Sequence, residues 1–309
     1  TLNDYWSTGL PLLAAVIKDP AFEKDDIKLT KDRLTAELKA APSDPGRYIN
    51  ELVNDVFYPQ GHPYRNTSKE ALEEVASFNR ADLVFEHKKS LNASAMQIVV
   101  VGSMNQKELE KSLNDAFGGI KKAKIAKTAV PLPEFDKKDN YRFEDRSIPT
   151  AYIRAKVTAP GVKHKDATAI RLMFEILSEE LGEEIRTRRS LSYAVYSYII
   201  QYSMGIGVLS ASTSKPKETL EAMDAVIKKL KTHDYPKEQI EEYKRVFATG
   251  YFLTQETHAS LASAIANSVF YFGSADELYE FPKKLDQVTP KDIKRVANEI
   301  LVDMRVGVI

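Results

Sequence analysis

The chain has 309 residues, with 44 basic and 44 acidic side chains and no cysteine; such a length corresponds to roughly two domains of about 150 residues. Balanced charge argues against a nucleic-acid-binding or polybasic membrane-surface role, both of which need a net positive field. The missing cysteine removes disulfides, thiolate nucleophiles and thiolate metal sites, and no apolar run approaches the roughly 18 residues of a membrane helix.

In chain order, the first predicted element is an amphipathic helix over Tyr5 to Ile17, whose apolar residues recur at three- and four-residue spacing and so share one face. A linker with Pro20 leads to a second long helix, Asp25 to Ala41. A shorter helix opens at Asn79, with Asp82 nearby, and "MQIVVVG", Met96 to Gly102, reads as a closing strand. Lys121 to Asp139 is rich in Lys, Ala and Pro without an apolar period, which is linker composition. Tyr141 to Gly161 then reads as one or two strands by alternation and β-branched content. Lys165 to Arg189 reads as a long helix, and Leu191 to Thr213 as a hairpin turning near Ser203 to Gly205. Helices follow over Lys217 to Lys231 and Lys237 to Glu256, and another opens at Thr289-Pro290, a good N-cap followed by a residue suited to the first helical position. "MRVGVI" closes the chain as a strand.

This order contains a repeat. The segment from Ala15, "AVIKDPAFEKDDIKLTKDRLTAEL", resembles that from Ala225; "VNDVFYPQG" resembles "ANSVFYFGS"; and the stretch ending in "MQIVVVG" resembles that ending in "MRVGVI". Three matches in order at one offset of about 210 residues argue for internal duplication. The expected fold is therefore α+β: tandem units, each a mostly antiparallel sheet packed against long helices. Residues 1–135 form a first, incomplete unit and residues 136–309 a complete second one. By the offset, about 80 residues carrying strands, a helix and a hairpin are expected ahead of Thr1, and an open half-sheet without them would expose unpaired edges.

The five histidines, His62, His87, His164, His233 and His258, form neither H-E-x-x-H nor H-x-x-E-H, and no two lie at i, i+4, so each is expected in a surface or helix-cap role. Glu37 lies inside the second helix between Ala36 and Leu38, as an ordinary partly exposed residue on composition alone. "EIRTRRSLSYAVYSYII", residues 184–200, places Arg186, Arg188 and Arg189 at a helix C-terminus just ahead of Tyr193. Cations suit the negative end of a helix dipole, which accounts for three arginines without invoking function. A guanidinium and a phenol converging at a corner also make a donor pair suited to a carbonyl or oxyanion.

"IRTRRSLSY" resembles the Arg…Tyr signature of the pitrilysin/insulinase-type zinc metallopeptidases, the inverzincins, which include mitochondrial-processing-peptidase-like proteins. Arg186 and Tyr193 stand seven positions apart as in that signature, and Leu191 fits it, while Ser190 and Ser192 replace the usual Gly and small residue. "HPYRNTSKEAL", from His62, and "QIVVVGSMNQKELEKSL" are similar to further family segments. The resemblance implies a half of a clamp-like chamber that holds an extended peptide, with Arg186 and Tyr193 as the catalytic residues that steady the substrate carbonyl and the tetrahedral intermediate. It places Glu37 as a third zinc ligand or its relic. It implies zinc in the complete enzyme and none on this chain alone, since the H-x-x-E-H motif would come from a preceding segment or a partner chain. Proteolysis is then expected only together with that motif, in a homo- or heterodimer with another peptidase-family half, in a bacterial periplasm or otherwise exported, with the cytoplasm as the alternative. The alternative function is a non-catalytic assembly or peptide-binding subunit of the same fold.

Overall fold

The computed structural model describes residues 5–125, 130–133 and 140–309. Along the first stretch run helices α1 (Trp6–Lys18), α2 (Lys24–Ala40), α3 (Pro45–Phe57), α4 (Ser68–Ser77), α5 (Arg80–Ser90) and α6 (Gln106–Phe117). The last stretch carries β1 (Tyr141–Phe143), β2 (Ala151–Pro160), α7 (Ala167–Leu181), β3 (Val195–Gln201) and β4 (Met204–Thr213). It continues with α8 (Pro216–Thr232), α9 (Lys237–Leu253), α10 (His258–Phe272), α11 (Glu277–Asp286), α12 (Pro290–Ile300) and β5 (Arg305–Val308). Local chemistry sets several of these boundaries. Asp44 caps α3 by accepting from the N–H groups of Gly46 and Arg47, with Pro45 at the first helical position. Asn79 with Asp82 and Thr289 with Asp292 form reciprocal capping boxes at α5 and α12. Gly273, at φ 81°, ends α10 in the left-handed region where a Cβ is penalised.

Packing sorts these elements into two units, each drawn from three stretches of sequence. One comprises Thr1–Glu37, Leu72–Thr128 and Thr254–Ala275; the other comprises Leu38–Ala71, Ala129–Leu253 and Asp276–Ile309. Helices α1 to α5 precede an extended segment in the same order in which α8 to α12 precede β5. The third helix of each series, α3 and α10, belongs to the unit otherwise built from the other series.

The larger unit holds a five-stranded sheet of order β1-β5-β2-β4-β3. Only the β1–β5 pairing is parallel; β2 pairs antiparallel with β4 and β5, and β4 with β3. Strict alternation in β2 buries Ile153, Ala155, Val157 and Ala159 on one face. There they meet α7, ten of whose fifteen residues are buried, the mark of a helix that is apolar nearly all round. Gly207 in β4 is fixed by this contact, because a Cβ there would come within 2.1 Å of the Phe174 ring. Helices α8, α9, α11 and α12 close around the rest of α7. On the second face α3 crosses β1, β5 and β2, with Ile49 and Val53 against Gly307. The hairpin turns at Tyr202 and Ser203, overlapping the expected Ser203 to Gly205 turn only at Ser203, because Met204 and Gly205 already pair in β4.

One expected strand is not a strand. Met96 to Gly102 runs without ladder pairing, whereas the chain-closing strand β5 lies between β1 and β2. Strand-like residues make a strand only when a second backbone supplies the hydrogen bonds. Much of the expected linker, residues 126–129 and 134–139, lies outside the described residues.

Candidate functional site

The corner between α7 and β3 is built by a change of helical pitch. After Leu181 the chain continues as a π-helical segment, Gly182–Arg188, with the N–H of Arg189 donating to Glu184 O at 3.2 Å. The N–H of Leu191 then donates to Ile185 O at 2.9 Å, which closes the helix end. Ser190, between these two donors, adopts φ 52°. The family resemblance gives Gly at this position, and the left-handed conformation is the physical reason. π-helical segments are uncommon and cluster at functional sites because they re-aim the side chains they carry.

Ile185 and Leu191 are buried on either side of the corner, so the exposed residues between them stand on a fixed base. The three arginines then separate. Arg188 pairs with Glu183 at 3.4 Å and Glu184 at 3.5 Å, and Arg189 pairs with Glu184 at 2.7 Å. Arg186 is exposed and makes no ion pair or hydrogen bond among the described residues. Its guanidinium lies back over Gly182, where an added Cβ would sit 3.3 Å from Nη2. Across the corner, Thr213 Oγ1 donates to Leu191 O at 2.7 Å and Ser192 Oγ donates to Ala194 O at 3.0 Å, which pins the backbone on both sides of Tyr193. The Tyr193 side chain projects outward, 89% exposed, and its hydroxyl has no partner among the described residues. It stands two residues ahead of the edge strand β3, which among the described residues pairs with β4 alone. Tyr196 and Tyr198 continue outward along that edge with rings 6.1 Å apart. The corner thus presents one uncommitted guanidinium and one uncommitted phenol on a rigid support.

Glu37 is exposed on α2, a helix with no buried residue, and belongs to the smaller unit. Among the described residues no three His, Cys, Asp or Glu side chains gather as a metal group. These residues therefore do not by themselves fit a zinc ion, which needs three or four protein ligands around one point.

His62 departs from the expected surface role. It is 6% exposed, with Nε2 bonded to Pro131 O at 2.9 Å and Nδ1 accepting from the N–H of Tyr64, and it stacks on Tyr58. His87 is partly buried, with its ring bonded to Ile17 O at 2.8 Å. His164, His233 and His258 are exposed. The nearby Lys156 escaped the sequence reading. It lies on the second sheet face, bonded to Asn54 Oδ1 and set over the rings of Phe57 and Tyr58 at 5.9 and 5.6 Å. Burial, with the neighbouring Arg154 charge, pulls its ammonium pKa down to about 8. Its place in the alternation of β2 is the only sequence signal that could have marked it.

The family model described as "Peptidase M16 inactive domain" matches residues 77–247. The chain is 21% identical over 305 residues to an uncharacterized zinc protease of Mycobacterium leprae, spanning 95% of this chain and 68% of that one. It is 24% identical over 325 residues to a probable mitochondrial-processing peptidase subunit beta of Schizosaccharomyces pombe, spanning 98% and 71%. The crystal structure of a peptidase M16 inactive domain from Pseudomonas fluorescens superposes with a TM-score of 0.87 at 19% identity, covering 99% of this chain and 74% of that one. With more than half of its length matched by that model, the chain belongs to the peptidase M16 family.

Proposed function

We propose that the chain is the substrate-clamp half of a zinc-dependent metalloendopeptidase and that Arg186 and Tyr193 hold the peptide being cut. The observation that carries this reading is the contrast within one corner. Arg188 and Arg189 are paired with Glu183 and Glu184, while Arg186 and the Tyr193 hydroxyl have no partner among the described residues. An extended peptide laid against the edge of β3 gains main-chain hydrogen bonds that tolerate many sequences. Arg186 then donates to a peptide carbonyl and Tyr193 to the carbonyl under attack or its neighbour. As that carbon becomes tetrahedral its oxygen gains negative charge, and a donor already in place costs no reorganisation at that moment. In this reading zinc and the water it activates would be supplied by an H-x-x-E-H motif on a preceding segment or a partner chain. The partner is another peptidase-family half, in keeping with a relative that is itself called a subunit. The second reading, a non-catalytic assembly or peptide-binding subunit, is favoured by the description of the matching model as inactive.

The test is cleavage of a quenched fluorescent peptide by the chain reconstituted with its zinc-bearing partner. Arg186→Ala and Tyr193→Phe should each lower the rate by about 10²-fold or more, the usual cost of one oxyanion donor. They should be less than additive, because both act on one oriented peptide. Arg188→Ala and Arg189→Ala remove surface ion pairs and should change the rate by less than about twofold. Wild-type rates in both Arg186→Ala and Tyr193→Phe would discard the clamp and leave the assembly reading.

A further inference from the structure

On the second face of the sheet two cations of β2, Arg154 and Lys156, have no carboxylate partner among the described residues. Strand register places Tyr196, Ser210, Arg154, Gly307 and Arg142 in one row across β3, β4, β2, β5 and β1. Tyr198, Val208, Lys156 and Arg305 form the next row. None of the five strands contains an Asp or Glu. Helix α3 brings two carboxylates, and both are engaged: Glu51 accepts from Ser68, and Asp55 pairs with Arg65. What α3 offers Lys156 is the neutral amide of Asn54. The Arg154 Nε–H is sealed from solvent with no acceptor, and the rest of its guanidinium makes no hydrogen bond or ion pair among the described residues. Two like charges two positions apart on one sheet face repel, and a buried donor without an acceptor is costly to keep. An anionic group at the terminal guanidinium nitrogens, which unlike Nε are not sealed from solvent, relieves the repulsion. Helix α3 covers the β1, β5 and β2 side of the face, while the β3 margin is open, with Tyr196 and Tyr198 at 41% and 37% exposure.

We propose that this margin is the part of the clamp that selects substrate, taking an extended peptide along the β3 edge whose acidic side chain crosses the Tyr196 and Tyr198 rings to reach Arg154, with Lys156 as the second cation. The inference rests on the peptide-clamp reading and adds to it a preference for carboxylate-bearing peptides. Arg154 selects and positions; it takes no part in bond cleavage.

The test is fluorescence anisotropy with the purified chain and two labelled peptides, one of alternating threonine and glutamate and its glutamine counterpart. The glutamate peptide should bind about tenfold or more tightly, the usual advantage of a hydrogen-bonded charge pair, and salt should erode that advantage. Arg154→Gln should abolish the preference without lowering Tm, since no partner is lost; Arg154→Lys should keep part of it. Arg186→Ala should weaken both peptides by the same factor. Inorganic phosphate at matched ionic strength should compete poorly, because a bare anion lacks the stacking and main-chain contacts; equal competition would reassign Arg154 to free anions and overturn the peptide preference. If both peptides bind equally, or the preference survives in Arg154→Gln and in Lys156→Met, the acidic selectivity is wrong while the clamp stands. If neither peptide binds, the clamp fails and this inference with it.

Discussion

Ser190 holds the left-handed conformation at φ 52° that lets the π-helical segment hand over to β3. An L-residue in that region costs about 1–2 kcal/mol, whereas Gly adds about 0.4–1 kcal/mol of unfolded-state entropy to be lost on folding. Relief of strain is the larger effect, so Ser190→Gly should stabilise the chain by about 0.5–1 kcal/mol in urea unfolding; a loss of stability would show that the Ser190 side chain holds the corner. Lys156 makes a second prediction through pH. Its pKa of about 8 in the folded chain lies below its ordinary value of 10.5. Between those values the unfolded chain holds more protons than the folded one, so the contribution of this group rises with pH across that window and is flat below it. At neutral pH the charged ammonium therefore costs about 3 kcal/mol relative to high pH. Lys156→Met should gain stability over the wild type near pH 7, an advantage that shrinks by about that amount by pH 10.5. Parallel stability curves for the two proteins would refute the assignment of the depressed group to Lys156.

Burial differs sharply between elements. Helices α2, α5 and α6 contain no buried residue, while α7 contains ten. Local opening of a helix costs what its packing supplies. Amides of α2, α5 and α6 should therefore exchange with solvent at least about a hundredfold faster than those of α7, β2 and β4, as read by native-state hydrogen exchange; equal protection would mean that unburied helices are held by something beyond their apolar contacts. The same local-versus-distant contrast decides what sequence alone reveals. The capping boxes at Asn79–Asp82 and Thr289–Asp292 are short-range bonds, and the helices they open were legible. The apolar periods of α1, α8 and α9 and the β3–β4 hairpin were legible for the same reason. "MQIVVVG" has the composition of a strand, but its state depends on a partner distant in the chain. His62 looked like a surface imidazole because its burial depends on Tyr58 and on Pro131, 69 positions away. Nothing in "GEEIRTR" distinguishes a π-helical turn from an α-helical one. Arg186 and Tyr193 could be singled out by spacing, but which of three arginines is free depends on where Glu183 and Glu184 reach. Arg154 and Lys156 were not legible, since their lack of a carboxylate partner emerges only once the strands pair and α3 packs on them.

At the scale of the whole molecule, chain order and packing divide the protein differently. The composition change after Lys121 falls between α6 and β1, whereas each compact unit takes its third helix from the other series. A functional centre can be divided in the same way, with pieces that are incomplete until brought together. The role proposed for Glu37 turns on this. A structural or catalytic zinc takes three or four ligands within about 2.0–2.3 Å, and one exposed carboxylate on a helix with no buried residue offers a single donor to water. Binding free energy for zinc comes from ligands already held near one point, and the described residues gather no such group. The 309-residue chain, purified, mildly chelated and dialysed against zinc, should therefore retain far less than one zinc per chain by elemental analysis. Its melting temperature should not respond to zinc, because a ligand that does not bind the folded state cannot stabilise it. About one zinc per chain, with a rise in Tm, would overturn this. His62 and His87 already spend ring nitrogens on Pro131 O and Ile17 O, so the metal would then have to be sought at His164, His233 or His258, the three imidazoles left facing solvent.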